Sequence, residues 1–238
     1  MKQQVEFYSF FNSSTSWRVR IALALKGLEP DFHGVNIRTG MHHDADYVRE
    51  INPSATVPAI VDNGFNLGQS LAIIDWLDGK YPEPRLIPAE PVLRARVLEF
   101  SYLVACDIHP VNNLRILKYL QDVLKVSPQQ KDEWYAHWLA EGMAAVERLL
   151  AQANEIYSGP WCFGAQPTLA DCGLIPQFGN AQRMGCDMAP YKQARAVFDH
   201  AADHPAFVKS EPKHQPDYTP PALAATPLSS SNKDKIKA

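Results

Sequence analysis

The stretch Phe11–Gly27, FNSSTSWRVRIALALKG, places four hydroxyl residues directly before an apolar run that also carries two arginines. Ser and Thr are favoured at helix starts, because their side-chain oxygens accept hydrogen bonds from N–H groups that the first turn leaves free. Gly27 is typical of the residue that follows a helix, and Lys26 would face the negative end of the helix dipole. The stretch therefore predicts a helix over 16–26.

The hydroxyl residues 13–16 exceed what capping requires, so the start of this helix is also a candidate site. A helix N-terminus presents free N–H groups and a partial positive charge, and both favour an anion. A thiolate is one such anion, and its pKa falls near helix N-termini. Serine-rich caps are common, so simple capping remains the alternative.

The surrounding 80 residues predict a mixed sheet with helices packed against it. A turn of hairpin type at 62–64 separates two of the predicted strands. The order is β-α-β-α-β-β-α, with strands at 5–10, 32–37, 57–61 and 65–67 and helices at 16–26, 45–50 and 70–79.

The proline-rich stretch 81–88 reads as a linker, because proline interrupts both helices and strand ladders. Helical periodicity dominates after it, in segments 92–108, 113–126, 131–153, 168–184 and 190–202. The predicted domains are 1–83, of α+β type, and 90–211, which is all-α. Residues 212–238 are polar and proline-rich, so we expect a mobile tail there.

Composition excludes several classes of function. The 238-residue chain has a net charge of −3 and no Lys/Arg cluster, which argues against nucleic-acid binding. Its apolar runs are too short to span a bilayer, and the N-terminus lacks signal-peptide character, so we expect a cytoplasmic protein without a membrane partner. The four cysteines match no CxxC spacing, and the His42–His43 pair has no companion ligand, so no metal site is predicted.

Two further segments of the first domain carry candidate binding groups. Thr56-Val57-Pro58 lies where a loop enters a strand, and a cis bond there would leave the Val57 backbone free to pair with an extended ligand. The sequence favours the simpler interpretation, a strand that begins at a proline. Gln69 and Ser70 precede an apolar helix, which suits either a carboxylate or an ordinary cap.

The helical domain contributes a dense polar segment between apolar helices, Asp107–Arg115, and an isolated cation, Arg183. A single arginine is more often a solvated surface charge, so these residues count only as a group. Thr168 and Asp171 have the spacing of a capping box, and we expect Asp171 to serve folding.

Taken together, these features resemble the cytosolic glutathione transferases over about residues 4–210. SSTSWRVRIALALKG is similar to the signature of their zeta class, which includes maleylacetoacetate and maleylpyruvate isomerases. The Val-Pro, the Gln-Ser before a helix and the Thr-Leu-Ala-Asp box belong to the same pattern. The resemblance implies a thioredoxin-like N-terminal domain, an all-α C-terminal domain, glutathione as cofactor and a homodimer.

The resemblance also implies roles for individual residues. Ser13 would contact the glutathione sulfur, and Ser14 and Thr15 would complete that pocket, although the family most often has Cys where this chain has Thr15. Val57 and Pro58 would clamp the cysteinyl backbone.

The remaining implied roles concern the other ends of the ligands. Gln69 and Ser70 would hold the γ-glutamyl carboxylate, and His43 would lie near the glycyl end. Arg183 would face a small dicarboxylate substrate. The polar edge supplied by the helical domain would comprise Asp107, His109, Asn113 and Arg115.

The implied activity is glutathione-dependent cis–trans isomerisation of maleylacetoacetate, in tyrosine and phenylalanine catabolism. Asn12 occupies a position where some maleylpyruvate-type members place a substrate-facing arginine, which favours maleylacetoacetate. Maleylpyruvate isomerisation in gentisate degradation, a general transferase or dehalogenase activity, and a non-catalytic glutathione-binding role remain alternatives.

Overall fold

The computed structural model describes residues 5–220 and contains a four-stranded mixed sheet followed by a helical domain. The sheet order is β2-β1-β3-β4, in which β1 pairs in parallel with β2 and antiparallel with β3. The strands are β1 (Glu6–Ser9), β2 (Asp31–Gly34), β3 (Ala59–Asp62) and β4 (Phe65–Gly68).

Three helices belong to the sheet domain: α1 (Ser14–Leu25), α2 (Ala45–Glu50) and α3 (Ser70–Lys80). The predicted β-α-β-α-β-β-α order is confirmed. Helix α1 begins two residues earlier than predicted, because Ser13 rather than a later hydroxyl caps it. Strand β3 begins at Ala59, so Val57 and Pro58 precede the ladder.

The second domain is helical throughout its described residues, as predicted. Helix α4 (Pro91–Tyr102) continues as a π-helical segment, Leu103–Ile108, which packs over Gly142 of the long helix α6. A Cβ at Gly142 would lie 2.2 Å from the Ile108 side chain, so only glycine admits this segment. The other helices are α5 (Leu114–Asp122), α6 (Pro128–Ile156), α7 (Leu169–Arg183), α8 (Lys192–Ala201) and the unpredicted α9 (Pro205–Ser210).

The two domains share one apolar core, in which α1 packs against α7. The Trp17 ring fits over Gly179 of α7, where a Cβ would lie 3.1 Å from the ring. At the start of α7, the predicted capping box is confirmed, and the buried Asp171 carboxylate accepts from the Thr168 and Cys162 N–H groups at 2.7 and 2.8 Å. Site residues carried by both domains are therefore held on one rigid core.

Lys26 has a different role from the predicted dipole contact. Its buried ammonium donates to Asp78 at 2.8 Å and to the Tyr81 and Pro84 carbonyls at 2.7 and 2.8 Å. The Asp78 carboxylate also accepts from the N–H groups of Leu86 and Ile87. The ion pair thus fixes the interdomain linker, because tertiary contacts bring the end of α3 beside the end of α1.

The segment 211–218, here called the C-terminal strap, returns from the helical domain to the sheet domain. The Phe11 N–H donates to Asp217 Oδ2 at 2.9 Å, and the Tyr218 ring meets the Phe11 ring edge-on with centroids 5.4 Å apart. For residues 212–218 the structure therefore differs from the predicted mobile tail, because Asp217 and Tyr218 find partners in the first domain and His214 and Gln215 find partners in α9. Residues 221–238 of that prediction lie outside the described residues.

Within residues 5–220, no helix has both the length and the apolar character needed to cross a membrane.

Candidate functional site

The N-terminus of α1 is reached through a tight turn, Phe10–Ser13. The Ser13 N–H donates to the Phe10 carbonyl at 3.0 Å, and Ser13 Oγ accepts from the Ser16 N–H at 3.2 Å. Ser13 and Ser14 are each 8 % exposed, so water reaches both only at their edges. Ser13 is therefore the cap, and its hydroxyl lies at the positive end of the helix dipole.

A chain of hydrogen bonds links this cap to the loop before β3. Thr15 Oγ1 donates to the Val57 carbonyl at 3.0 Å, and the Ser13 and Thr15 hydroxyl oxygens are 2.9 Å apart. A carbonyl can only accept, so the single Thr15 proton points to Val57. Ser13 must then donate its own proton to Thr15. The structure thus joins three of the predicted site residues and fixes the direction of both protons.

The Val57–Pro58 peptide bond is cis, which corrects the favoured interpretation of a simple strand start. Because the ladder begins at Ala59, the Val57 backbone is outside the sheet. Among residues 5–220, nothing accepts a hydrogen bond from the Val57 N–H. This N–H is therefore free to pair with an extended ligand.

The N-terminus of α3 lacks a side-chain cap. Gln69 precedes it with φ of 68°, in the left-handed region, and its side chain makes no capping bond. The first-turn N–H groups, including those of Ser70 and Leu71, donate to no group in the described chain. Ser70 Oγ instead accepts from Nη1 of buried Arg18 at 3.4 Å. The first turn of α3 is therefore open to an anion.

The polar segment of the helical domain divides into residues with different surroundings. His109 is half-buried, and its pKa is lowered to about 3 by burial and by the positive charges of Arg18 and Arg115. The imidazole is thus neutral at physiological pH. Asn113 uses its side chain to cap α5, accepting from the Ile116 N–H at 3.3 Å.

Two predicted residues of this segment are exposed, and only one of them faces His109. Arg115 contributes to the electrostatic environment of His109. Asp107 lines a separate groove of about 460 Å³ with Glu99 and Arg148, on the surface between α4 and α6. The predicted role of Asp107 is therefore the least supported by the geometry.

Arg183 is the last residue of α7 and donates to Asn180, whose amide donates to the Tyr135 hydroxyl. Surrounding protein atoms, and secondarily the charge of Arg38, lower the pKa of Arg183. The Arg38 guanidinium lies 5.5 Å from the centroids of the Phe10 and Phe11 rings, beside the turn that leads to Ser13. Arg38 of the sheet domain is thus beside the start of α1, and its charge interacts with that of Arg183 of the helical domain.

His43 lies in an exposed 3₁₀ turn, Met41–His43, with its ring 3.9 Å from that of His42. Desolvation, His43 and Lys118 of α5 together lower the pKa of His42. This loop of the first domain therefore faces the helical domain, at the margin of the same region.

Sequence reasoning missed the residues that hold these groups in place. Arg18 and Arg20 stand two apart in an apolar helix, and this unusual pattern is the feature that could have indicated buried, functional charges. Arg38 and Asp217 gave no comparable indication, since both lie in irregular segments. The described residues contain no group of three or more His, Cys, Asp or Glu placed to hold a metal ion.

Comparison with known proteins identifies the family. Residues 12–80 match the glutathione S-transferase N-terminal domain, and residues 132–204 match the C-terminal domain. A maleylacetoacetate isomerase of Pseudomonas aeruginosa is 42 % identical over 220 residues, covering 92 % of this chain and all of the relative.

Two solved structures are similar over 90 % of this chain and 100 % of their own, each with a TM-score of 0.85. One is the holo structure of a maleylpyruvate isomerase, a bacterial zeta-class glutathione S-transferase, at 40 % identity. The other is a maleylacetoacetate isomerase of Methylobacterium extorquens AM1 with bound malonate and glutathione, at 30 % identity. The sheet domain thus has the thioredoxin-like fold of these proteins, and the chain belongs to the zeta class of the glutathione S-transferase family.

Proposed function

We propose that the protein is a glutathione-dependent cis–trans isomerase and that maleylacetoacetate is its substrate. The observation that carries this proposal is the hydroxyl chain from Ser13 through Thr15 to Val57, beside two sets of unpaired N–H groups. The zeta-class relatives support the choice of reaction, since two of them are named maleylacetoacetate isomerase and maleylpyruvate isomerase.

The free groups of the first domain fit the parts of glutathione. The Val57 backbone suits the cysteinyl peptide unit, whose N–H and C=O can pair with it as a strand would. The open first turn of α3, with Ser70, suits the γ-glutamyl carboxylate. His43 and the exposed loop around it are available to the glycyl end. The solved relative with bound glutathione supports this assignment.

Glutathione, when bound, supplies a thiolate that adds reversibly to the double bond, so that the bond can rotate before the thiolate leaves again. Ser13 would turn its hydroxyl proton from Thr15 to the sulfur, while Thr15 keeps its own bond to Val57. The dipole of α1 favours the anionic form at the same place. Ser14, which follows Ser13, is largely shielded from water.

The substrate carboxylates require cations, which the helical domain provides. Arg183 presents an exposed guanidinium whose charge interacts with that of Arg38, and guanidinium pairs with carboxylate through two parallel hydrogen bonds. Arg115 lies beside neutral His109, which can accept or donate a hydrogen bond at neutral pH without changing charge. Both arginines would also stabilise negative charge that develops on the substrate.

Maleylpyruvate is the second candidate substrate, because the holo maleylpyruvate isomerase is 40 % identical to this chain. A general transferase or dehalogenase would use the same glutathione site without needing Arg183. A binding protein without catalysis would have no use for Ser13, Gln69, Ser70 and Arg183 together. A homodimer and a cytoplasmic location stay predictions.

The test is glutathione-dependent loss of absorbance of maleylacetoacetate and of maleylpyruvate, measured side by side. We expect turnover to need glutathione and Arg183→Ala to lower kcat/KM by about a hundredfold, as for a lost charged contact of about 3 kcal/mol. Arg85→Ala, at an exposed arginine of the linker, is the matched control and should leave turnover unchanged. Glutathione binding without turnover of either acid would contradict the isomerase proposal and favour the transferase or binding role.

A further inference from the structure

Arg18 is a buried cation without an anionic partner. It is 2 % exposed, and its one hydrogen bond within the described chain is the 3.4 Å contact from Nη1 to Ser70 Oγ. Nε and Nη2 are both buried and both lack an acceptor. No carboxylate among residues 5–220 lies within ion-pair distance of the guanidinium. This charge is therefore uncompensated in the structure.

An uncompensated buried charge is costly, since burial removes hydration and nothing in the protein replaces it. Burial lowers the pKa of Arg18 to about 10, so the guanidinium still carries its charge at neutral pH. The other groups that face it are the Cys106 thiol and the His109 imidazole, which is itself neutral. The Arg18 charge thus lacks a counterion among the described residues and would attract a nearby anionic ligand.

The contact with Ser70 defines where such an anion would lie. A guanidinium has no acceptor, so Ser70 Oγ must accept from Arg18 and its own hydroxyl proton points elsewhere. The first-turn N–H groups of α3, an eleven-residue helix, are also unpaired at this point. The N-terminus of α3 therefore combines the Ser70 hydroxyl proton, the unpaired N–H groups and the positive end of the helix dipole. Arg18 lies behind Ser70 at this point.

We propose that Arg18 is a positioning residue for glutathione: it orients Ser70 as a donor and places a positive charge behind the γ-glutamyl carboxylate. The inference rests on the proposed function, because it takes glutathione as the ligand. It adds to the proposed function that the γ-glutamyl carboxylate of glutathione is the counterion of the buried Arg18 guanidinium. Arg18 itself does not touch glutathione, since its unpartnered nitrogens are shielded by protein atoms.

The experiment compares three ligands with the wild-type chain and with Arg18→Met, by calorimetric titration. The ligands are glutathione, γ-glutamylcysteine, which keeps the carboxylate, and 4-aminobutanoyl-cysteinylglycine, in which hydrogen replaces it. We expect Arg18→Met to weaken glutathione and γ-glutamylcysteine about tenfold each, or about 1.4 kcal/mol. The ligand without the carboxylate should bind both proteins equally.

A second readout separates this role from a structural one. Removing an uncompensated charge should leave Tm unchanged or raise it, whereas loss of a structural contact would lower it. Ser70→Ala should weaken glutathione in the wild-type background and have little further effect in the Arg18→Met background. Should Arg18→Met fold poorly, Arg18→Gln removes the same charge while keeping a polar side chain, and it should discriminate the ligands in the same way.

Equal weakening of all three ligands by Arg18→Met would overturn the inference, since the effect would not depend on the carboxylate. If the wild-type chain failed to bind glutathione at all, the proposed function would fail instead. Those two failures are distinguished by the wild-type titration alone.

Discussion

Arg18 and Arg20 stand two residues apart on α1, and both are buried, at 2 % and 5 % exposed, yet their surroundings are opposite. Arg20 donates to the carbonyls of Ser210, Phe10 and Phe11 and to Ser9 Oγ, with distances of 2.9 to 3.4 Å. Asp217 provides a nearby negative charge. Arg18 has a single long contact and no counterion.

The difference distinguishes Arg20, whose charge stabilises the folded protein, from Arg18, whose charge is available to a ligand. Buried ionic groups with complete hydrogen bonding mainly maintain structure, and removing one partner leaves the rest unsatisfied. A buried cation without partners stabilises nothing in the free protein, so its presence is explained by what binds beside it. Arg18 and Arg20 are the same residue type and are both buried. They differ only in how many hydrogen-bond acceptors surround each guanidinium.

The largest expected effect in this comparison is on stability. Arg20→Met should lower the free energy of unfolding by about 3–5 kcal/mol, because the buried carbonyls of Ser210, Phe10 and Phe11 lose their charged donor. Urea denaturation of Arg20→Met and Arg18→Met measures the contrast directly. Equal losses of unfolding free energy in the two variants would show that Arg18 and Arg20 contribute to stability in the same way.

A smaller effect than the loss of stability is expected on the pKa of His109. This pKa is sensitive to the positive charge of Arg18. The pKa is lowered to about 3 by burial first, then by Arg18 and then by Arg115. We expect Arg18→Met to raise it more than Arg115→Met does, in an NMR titration of the imidazole. A smaller rise for Arg18→Met than for Arg115→Met would mean that a nearby anionic group neutralises the Arg18 charge.

The same shift has a consequence for stability in acid. The folded protein releases the His109 proton at a lower pH than the unfolded chain, whose histidine has a pKa near 6.5. Stability should therefore fall as pH decreases from about 6.5 towards 3, by at most about 1.4 kcal/mol per pH unit, the limit for the binding of one proton. His109→Gln should remove this part of the dependence.

The smallest effect is expected at Thr15, whose hydroxyl proton is committed to the Val57 carbonyl as the Arg20 donors are to theirs. Thr15→Val should cost about 0.5–1.5 kcal/mol of stability, the typical net contribution of one hydrogen bond. Thr15→Cys, which keeps a small side chain but replaces the hydroxyl with a thiol, is a second variant that weakens this bond, since a thiol is only a weak donor. No change in Thr15→Val would show that the proton order along the chain is different.

Local chemistry made much of the fold predictable. The bounds of α2 match the prediction because a proline and a turn close it, and the Thr168–Asp171 box follows from a three-residue spacing. The positions of Ser13 and Ser70 at helix starts were predictable, because short motifs carry them, whereas their roles in a site stay predictions. Long-range partners were not, because Lys26 and Asp78 are 52 residues apart and no local pattern relates them. Only the folded chain shows which buried arginine is paired.

The contact between Phe11 and Asp217 spans 206 residues of the chain. During translation, the Phe10–Ser13 turn is therefore made 206 residues before the carboxylate that accepts from the Phe11 N–H. Until synthesis reaches the strap, the nascent first domain lacks this contact, however well its sheet has formed. A proteolytic cut at the exposed residues Lys213 or His214 of the strap would return a finished protein to that state.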